Sequence, residues 1–318
     1  MPPPADFLRA LRRRDPWRVG DTTDVWRLLD GAGDGQAFDG LFIDDFAGRW
    51  LVSTSLPGQT PPDWLRALPA AAAPRSVYWK RLDARGEHQQ PPAWWAGEAI
   101  AGPFIVREGG LAYRVDFQSG YSQGVFLDQR GNRAALRARL RPGMTVLNCF
   151  AYTCAFSVAA AAAGARTVSV DLSRASLDWG KENFRLNGLD PDGGEHEFRA
   201  GDVFEALDHR AKRGARFDAV VLDPPTFSRD RQGKVFRAED DFGRLAASAA
   251  RVLAPGGAML CSSNARRLTE DGFRRAVLAG LDGGAAVWRT APAPMPPDFT
   301  GAPYLRALWA WRFSERVT

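Results

Sequence analysis

From residue 111 onward, short apolar runs alternate with amphipathic stretches of helical length, and this rhythm constrains the chain more than any other feature. Leu111 to Val115 alternates like a strand, and a helix fits Asn132 to Leu140, closed by Arg141-Pro142-Gly143. Met144 to Cys149 then reads as a strand, Ala155 to Ala163 as a helix, and Thr167 to Val170 as a strand. Ser173 to Asn187 is a helix with Ser173 in N-cap position, and Val203 to Lys212 is another. Phe217 to Leu222 is a strand, Asp240 to Leu253 a helix stopped by Pro255-Gly256-Gly257, and Ala258 to Ser262 a further strand. Strands separated by helices of this length imply βαβ units and a parallel sheet, which binds ligands beyond the carboxyl ends of its strands. The residues to question are those that follow each strand.

Four strand ends carry usable groups. The first is followed by Asn148-Cys149-Phe150-Ala151-Tyr152-Thr153-Cys154, which lacks the GxGxxG spacing that lets a pyrophosphate approach the backbone. The second is followed by Asp171, placed for a ribose hydroxyl pair, and the third by Asp202, placed to accept from an adenine amino group. The fourth runs into Asp223-Pro224-Pro225-Thr226-Phe227, where two prolines stiffen the exit from the strand. Any one of these acids has a plainer use as the cap of the next helix. Together they point to an adenosyl ligand without phosphates, a description that S-adenosylmethionine fits.

Length and composition set the frame around this core. At 318 residues the chain is long enough for two domains, and 45% hydrophobic with 25% charged residues is ordinary for a folded protein. Residues 1–110 read as a small α+β domain, with strands at Leu41 to Ile43, Trp50 to Ser53 and Ser76 to Trp79. Proline-rich connections are expected over Leu56 to Pro74 and around Gln89 to Pro92. Asp30 to Gly35 reads as a turn and not as a phosphate loop. No run approaches the length of a membrane span, no secretory leader is evident, and three cysteines do not make a disulfide framework, so a cytoplasmic location is expected. A net charge of +5 suggests a polyanionic partner, although only four of the 42 basic residues are lysine, a bias that composition alone explains. Arginine clusters at Arg9 with Arg12 to Arg14, at Arg130, Arg133, Arg137, Arg139 and Arg141, and at Arg266-Arg267 are the candidate contacts. Tryptophans 17, 26, 64, 94 and 95 crowd the first domain and are expected mainly in its core.

Five motifs occur in order: Phe126-Leu127-Asp128-Gln129-Arg130-Gly131-Asn132-Arg133, Asn148 to Thr153, Asp171-Leu172-Ser173, Asn183 through Asn187-Gly188, and Asp223 to Ser228. In these the chain resembles the bacterial large-subunit (23S) ribosomal RNA methyltransferases of the S-adenosylmethionine-dependent, Rossmann-like class, over about residues 111–313. The resemblance implies a seven-stranded, mostly parallel methyltransferase domain over 111–318, with ribosomal RNA as partner and no metal. It implies that Asp171 with Leu172 binds the ribose and that Asp202 and Val203 hold the adenine. Asn148, Phe150, Ala151 and Tyr152 would lie under the methionine part, Asp223 would border the methyl, and Asp128 and Arg130 would be near the cofactor. Arg130 suits a carboxylate, which a guanidinium fork matches with two hydrogen bonds. The PUA module of many relatives is expected to be absent. Cys154 stands where the family has glycine, and a side chain there is expected to crowd the cofactor.

The methylated atom divides the family. Cytosine C5 is a poor nucleophile, and enzymes acting on it first attack the ring with a cysteine thiolate. Aligned on Gly256-Gly257, that cysteine's position falls at Asn264, with Cys261 three residues earlier inside a strand. Asn264 and the Asp-Pro-Pro-Thr-Phe-Ser run resemble the guanine-N7 branch, in which Asp223 and Asn264 would hold the base edge and Phe227 would stack on it. Phe227 serves equally as a core aromatic. Arg133, Arg137, Arg266 and Arg267 would meet phosphates. Three alternatives stay open: a cytosine-C5 enzyme using Cys261, a catalytically weak RNA-binding or ribosome-assembly factor on the same fold, and a methyltransferase of small molecules or proteins.

Overall fold

The computed structural model describes residues 3–18, 22–68, 73–83, 90–120, 122–229, 233, 235–282 and 286–313. The chain divides into two compact units: Met1–Arg130 with Pro296–Ala302, and Gly131–Met295 with Pro303–Thr318. The division falls at Arg130, twenty residues beyond the boundary expected from sequence, because the hairpin β6 (Phe104–Glu108) and β7 (Leu111–Val115) belongs with the first unit. The expected loop at Gln89 and residues 69–72 of the expected Leu56–Pro74 connection lie outside the described residues.

Among the described residues the first unit holds, besides that hairpin, a five-stranded sheet and one α-helix, α1 (Ala5–Arg18), which composition did not announce. Its strands β1 (Val25–Asp30), β2 (Leu41–Phe46), β3 (Arg49–Thr54), β4 (Ser76–Arg81) and β5 (Ala93–Gly97) lie in sequence order. Only the β3–β4 pair is parallel. Phe7 of α1 packs on Trp50 and Trp64, and Trp26 is also in this core, whereas Trp94 is 54% exposed. The arginine cluster at 12–14 is partly structural. Arg14 is fully buried, with Nη2 2.8 Å from Asp34 and donating to the Asp298 carbonyl at 2.7 Å, so it is not a surface contact. Asp298 arrives on the short segment that the second part of the chain contributes to this unit.

The second unit carries α2 (Arg130–Arg139) at its entry, then β8 (Thr145–Cys149), α3 (Ala155–Ala161), β9 (Arg166–Asp171), α4 (Arg174–Leu186), β10 (His196–Ala200) and α5 (Val203–Lys212). There follow β11 (Phe217–Leu222), a short hairpin of β12 (Phe227–Arg229) and β13 (Val235–Arg237), α6 (Ala238–Ala250), β14 (Leu253–Ser263) and α7 (Glu270–Leu281). The chain closes with β15 (Val287–Pro292) and β16 (Arg306–Phe313). The seven-stranded sheet has the order β10-β9-β8-β11-β14-β16-β15, with β16 alone reversed. It is the Rossmann-like methyltransferase fold. Alternation along the strands supplies both faces: Leu147, Cys149, Val220 and Leu222 pack towards α5, α6 and α7, while Val146, Ala219 and Val221 pack towards α2 and α3. β14 starts five residues before the expected strand. The Pro-Gly-Gly run bends within the strand instead of ending the helix, at a register shift against β11. Among the described residues no helix is long and apolar enough to cross a membrane.

Sheet order reverses at β8, since the chain goes outward through β9 and β10 and then returns to β11 on the other side. Ligands of such sheets sit at this switch point.

Candidate functional site

The loop leaving β8 carries most of the strain among the described residues. Four non-glycine residues there have a positive φ, and three of them alternate in this one loop: Phe150 (59°), Tyr152 (46°) and Cys154 (60°). A side chain in the left-handed region costs about 1–2 kcal/mol, so the conformation persists because its surroundings hold it. Tyr152 N donates to Asp171 Oδ2 at 2.8 Å, Asn183 Nδ2 to the Thr153 carbonyl at 2.9 Å, and Ala151 N to the Val170 carbonyl at 3.0 Å. Cys154 is fully buried against Gly180 of α4, where a β-carbon would fall 2.4 Å from the sulfur. The side chain expected to crowd the cofactor lodges over Gly180. Burial pushes the Cys154 thiol up to about 12.

Asp171 ends β9 with both oxygens in use, Oδ2 from Tyr152 N and Oδ1 from Ser173 N, each at 2.8 Å. Each carboxylate oxygen has a second lone pair, which is what a ribose diol requires. Burial raises its pKa against those two N–H bonds. Asp202 caps α5 by accepting from Glu205 N at 3.0 Å, so the plainer reading of a strand-end acid holds for it. It also lines a shallow cleft that is open to solvent.

That cleft is walled by Phe150, Leu172, Val203, Phe204 and Phe236, with Ser228, Val235 and Arg244 completing it. Phe236 lies 5.8 Å from Phe150 and 6.1 Å from Phe204 between ring centroids, and the Arg244 guanidinium is 3.9 Å from the Phe204 ring. An apolar slot with one carboxylate at its rim fits a purine base. Sequence reasoning found Phe150, Leu172, Asp202 and Val203 and missed Phe204, Phe236 and Arg244, which carry no motif; they come together only because the β12–β13 hairpin and α6 fold against α5.

Two expected contacts have other partners. Asn148 is 1% exposed on the α3 side of β8 and donates to Ser157 Oγ at 2.9 Å, which in turn bonds Ser169 Oγ, so its amide braces the sheet behind the loop. Arg130 is engaged inside the first unit: it pairs with Asp298, donates to the Val25 carbonyl at 3.1 Å and lies over the Trp26 ring. Its fork is committed there and not offered to a methionine carboxylate. Asp128 is half-buried in the 3-10 turn Leu127–Gln129 of that same unit.

The adjacent ends of β11 and β14 hold the other predicted residues together. Ser262 Oγ donates to Asp223 Oδ1 at 2.6 Å, and Thr226 Oγ1 donates to Asn264 Oδ1 at 2.8 Å. Phe227 is 48% exposed with the Arg237 guanidinium 5.4 Å from its centroid, so it is not a core aromatic. Cys261 faces the α6–α7 core, is fully buried, and has its thiol pKa pushed far up by desolvation. Arg266 and Arg267 are exposed, but Arg133 is buried near the Phe156 ring, so its expected phosphate contact is withdrawn.

Comparison with known proteins agrees with this geometry. A family described as S-adenosylmethionine-dependent methyltransferase matches residues 62–309. YwbD of Bacillus subtilis, named as a candidate ribosomal RNA large subunit methyltransferase, is 38% identical over 260 residues; the match covers 80% of this chain and 64% of YwbD. Ribosomal RNA large subunit methyltransferase I of Salmonella newport is 33% identical over 297 residues, covering 89% of this chain and 72% of that protein. The crystal structure of SMU.776, described provisionally as a methyltransferase and complexed with SAH, has a TM-score of 0.82 at 28% identity, covering 96% of this chain and 80% of that one. An alternating strand–helix chain, a seven-stranded sheet with an aromatic-walled cleft at its switch point and this match over most of its length lead to one assignment: the chain belongs to the S-adenosylmethionine-dependent methyltransferases.

Proposed function

We propose that this chain methylates N7 of a guanine in large-subunit ribosomal RNA. The RNA class rests on the names of the relatives, which span more sequence than this chain. The base rests on one observation: the strand end where a C5 enzyme needs a thiolate carries exposed Asn264, while Cys261 is sealed in the core, where desolvation disfavours its thiolate. A thiol that does not ionise is no nucleophile.

Asp171 and Leu172 would take the ribose, and Asp202, Val203, Phe204 and Phe236 the adenine. Phe150, Ala151 and Tyr152 would pass beneath the methionine part. When bound, S-adenosylmethionine supplies an electrophilic methyl on a sulfonium, whose C–S bond yields as the N7 lone pair takes the methyl. N7 carries no proton, so the chain needs no general base. Its work is to hold the base in line, a contribution of proximity and orientation. Asp223 and Asn264 would grip the base edge, Phe227 would stack on the unstacked base, and the Asp223 carboxylate would face the positive charge that the guanine acquires.

The test is to incubate the protein with methyl-labelled S-adenosylmethionine and undermethylated large-subunit RNA, then digest and identify the labelled nucleoside by mass. Label in 7-methylguanosine is the expected result, and the folded Cys261→Ser variant still forms it, because no step passes through that sulfur. Label in 5-methylcytidine, abolished by Cys261→Ser, would overturn the proposal in favour of a covalent mechanism.

A further inference from the structure

Three elements at one side of the second unit carry arginine and no acid. Neither α2, β15 nor β16 contains an aspartate or glutamate, and the two strands add Arg289, Arg306 and Arg312. On β16 every second residue from Trp309 is aromatic, so Trp309, Trp311 and Phe313 share one face. The two indoles stack, 6.5 Å apart between centroids. Arg139 of α2 lies over both, 4.7 Å from Trp309 and 5.8 Å from Trp311, and Trp309 is buried beneath it. The far end of the row is open. Phe313 is 41% exposed, as is its cross-strand partner Val287 at 38%. Exposed Arg289, directly opposite Trp311, holds its guanidinium 4.9 Å from the Phe313 ring. No carboxylate among the described residues pairs with it.

A guanidinium over a ring can simply shield apolar surface from water. That accounts for Arg139, whose rings are covered, but not for Phe313, which is left open. Nor does a second copy of the chain suit this place as an added strand. β15 is the edge of the sheet, and both Arg289 and Pro292 on it discourage strand pairing. An exposed ring beside a cation, on elements without acid, is complementary to a polyanion that also offers flat bases.

We infer that Arg289 and Phe313 form a second RNA-contact surface, at which the ring stacks on an unpaired base and the guanidinium meets a neighbouring phosphate. The inference rests on the RNA reading above and adds where the RNA is held beyond the methylated nucleotide. β16 runs antiparallel to β14, so Arg306 pairs with Ser263 beside Asn264, and Phe313 lies at the other end of the strand, about 23 Å further along. A base held there is not the base being methylated. The contact therefore acts on RNA affinity and not on the chemical step.

The experiment uses the full chain and undermethylated large-subunit RNA, with methylation kinetics and filter binding at several salt concentrations. Phe313→Ala should raise KM for RNA by at least about fivefold, the scale of one lost stacking contact, and leave the salt slope unchanged. Arg289→Ala should raise KM and reduce the slope of log affinity against log salt by about 1, whereas Arg289→Lys should keep that slope. In all three kcat should hold, as should affinity for S-adenosylmethionine read by calorimetry. Ultraviolet crosslinking of the unaltered protein to the RNA gives a readout independent of any variant's folding: the adduct is expected on Phe313. KM and salt slope unchanged in both alanine variants, or an adduct absent from β16, would overturn the inference while methylated RNA still forms. So would a fall in kcat at constant KM. If the unaltered protein neither binds nor methylates the RNA, the RNA reading fails and this inference goes with it.

Discussion

Cys154 shows how a single side chain is reconciled with a conformation that glycine normally supplies. Its backbone is left-handed and its sulfur occupies the space above Gly180. Gly180→Ala should therefore destabilise the protein. Helix propensity would favour alanine by at most about 1 kcal/mol, against about 1–3 kcal/mol for overpacking a site whose nearest neighbour is a side chain held by a strained backbone. Combining it with Cys154→Gly should recover most of the loss, because the obstructing sulfur and β-carbon are then gone. Thermal melts of the two single variants and the double variant measure this coupling; additive losses would show that the two positions do not compensate each other.

At the scale of elements, the β2–β3 turn stores a pH dependence. Asp45 is nearly buried and accepts from Gly48 N at 2.7 Å, the bond that closes the turn through Ala47 and Gly48. Desolvation raises its pKa from 3.8 to about 6, against the Gly48 N–H and Arg18. A carboxyl whose folded pKa is raised adds stability when protonated. That contribution is complete below 3.8 and is lost as pH rises through about 6. Relative to the unaltered protein, Asp45→Asn should be more stable above about 6, on the order of 2 kcal/mol, and no more stable below 3.8. Melting temperatures of the pair across that range check it, and a difference independent of pH would refute it. Asparagine keeps the acceptor for Gly48, so the turn itself is preserved.

For the whole molecule, the net charge of +5 is less evenly available than its count suggests. Arg14, Arg130 and Arg133 are held by internal partners or burial, and Arg139 lies over the Trp309 ring at 4.7 Å. Arg266 and Arg267 remain exposed just beyond Asn264. If RNA is the partner, Arg266→Ala and Arg267→Ala should each reduce the slope of log affinity against log salt by about 1, the effect of one phosphate contact. Filter binding with large-subunit RNA at several salt concentrations measures it. Arg133→Ala should act instead on the melting temperature, since its guanidinium is inside the fold.

The alternation of strands and helices after residue 111 determined the methyltransferase sheet, because periodicity and capping are local properties; α5 and β11 match their expected bounds, and Ser173 caps α4 through Ser176 N as expected. Strand-end positions were legible for the same reason, since Asp171 closes β9, Asp202 lies two residues beyond β10, and Asp223 and Asn264 follow β11 and β14 directly. Burial and partnership were not local. Whether Arg130 reaches a ligand or Asp298, whether Asn148 faces the cleft or Ser157, and whether Cys154 crowds a cofactor or fills the space over Gly180 depend on residues far away in the chain. The tertiary structure alone decided these, because a hydrogen-bonding or apolar group takes whatever partner the packing brings within about 3–4 Å, and sequence distance carries no information about that.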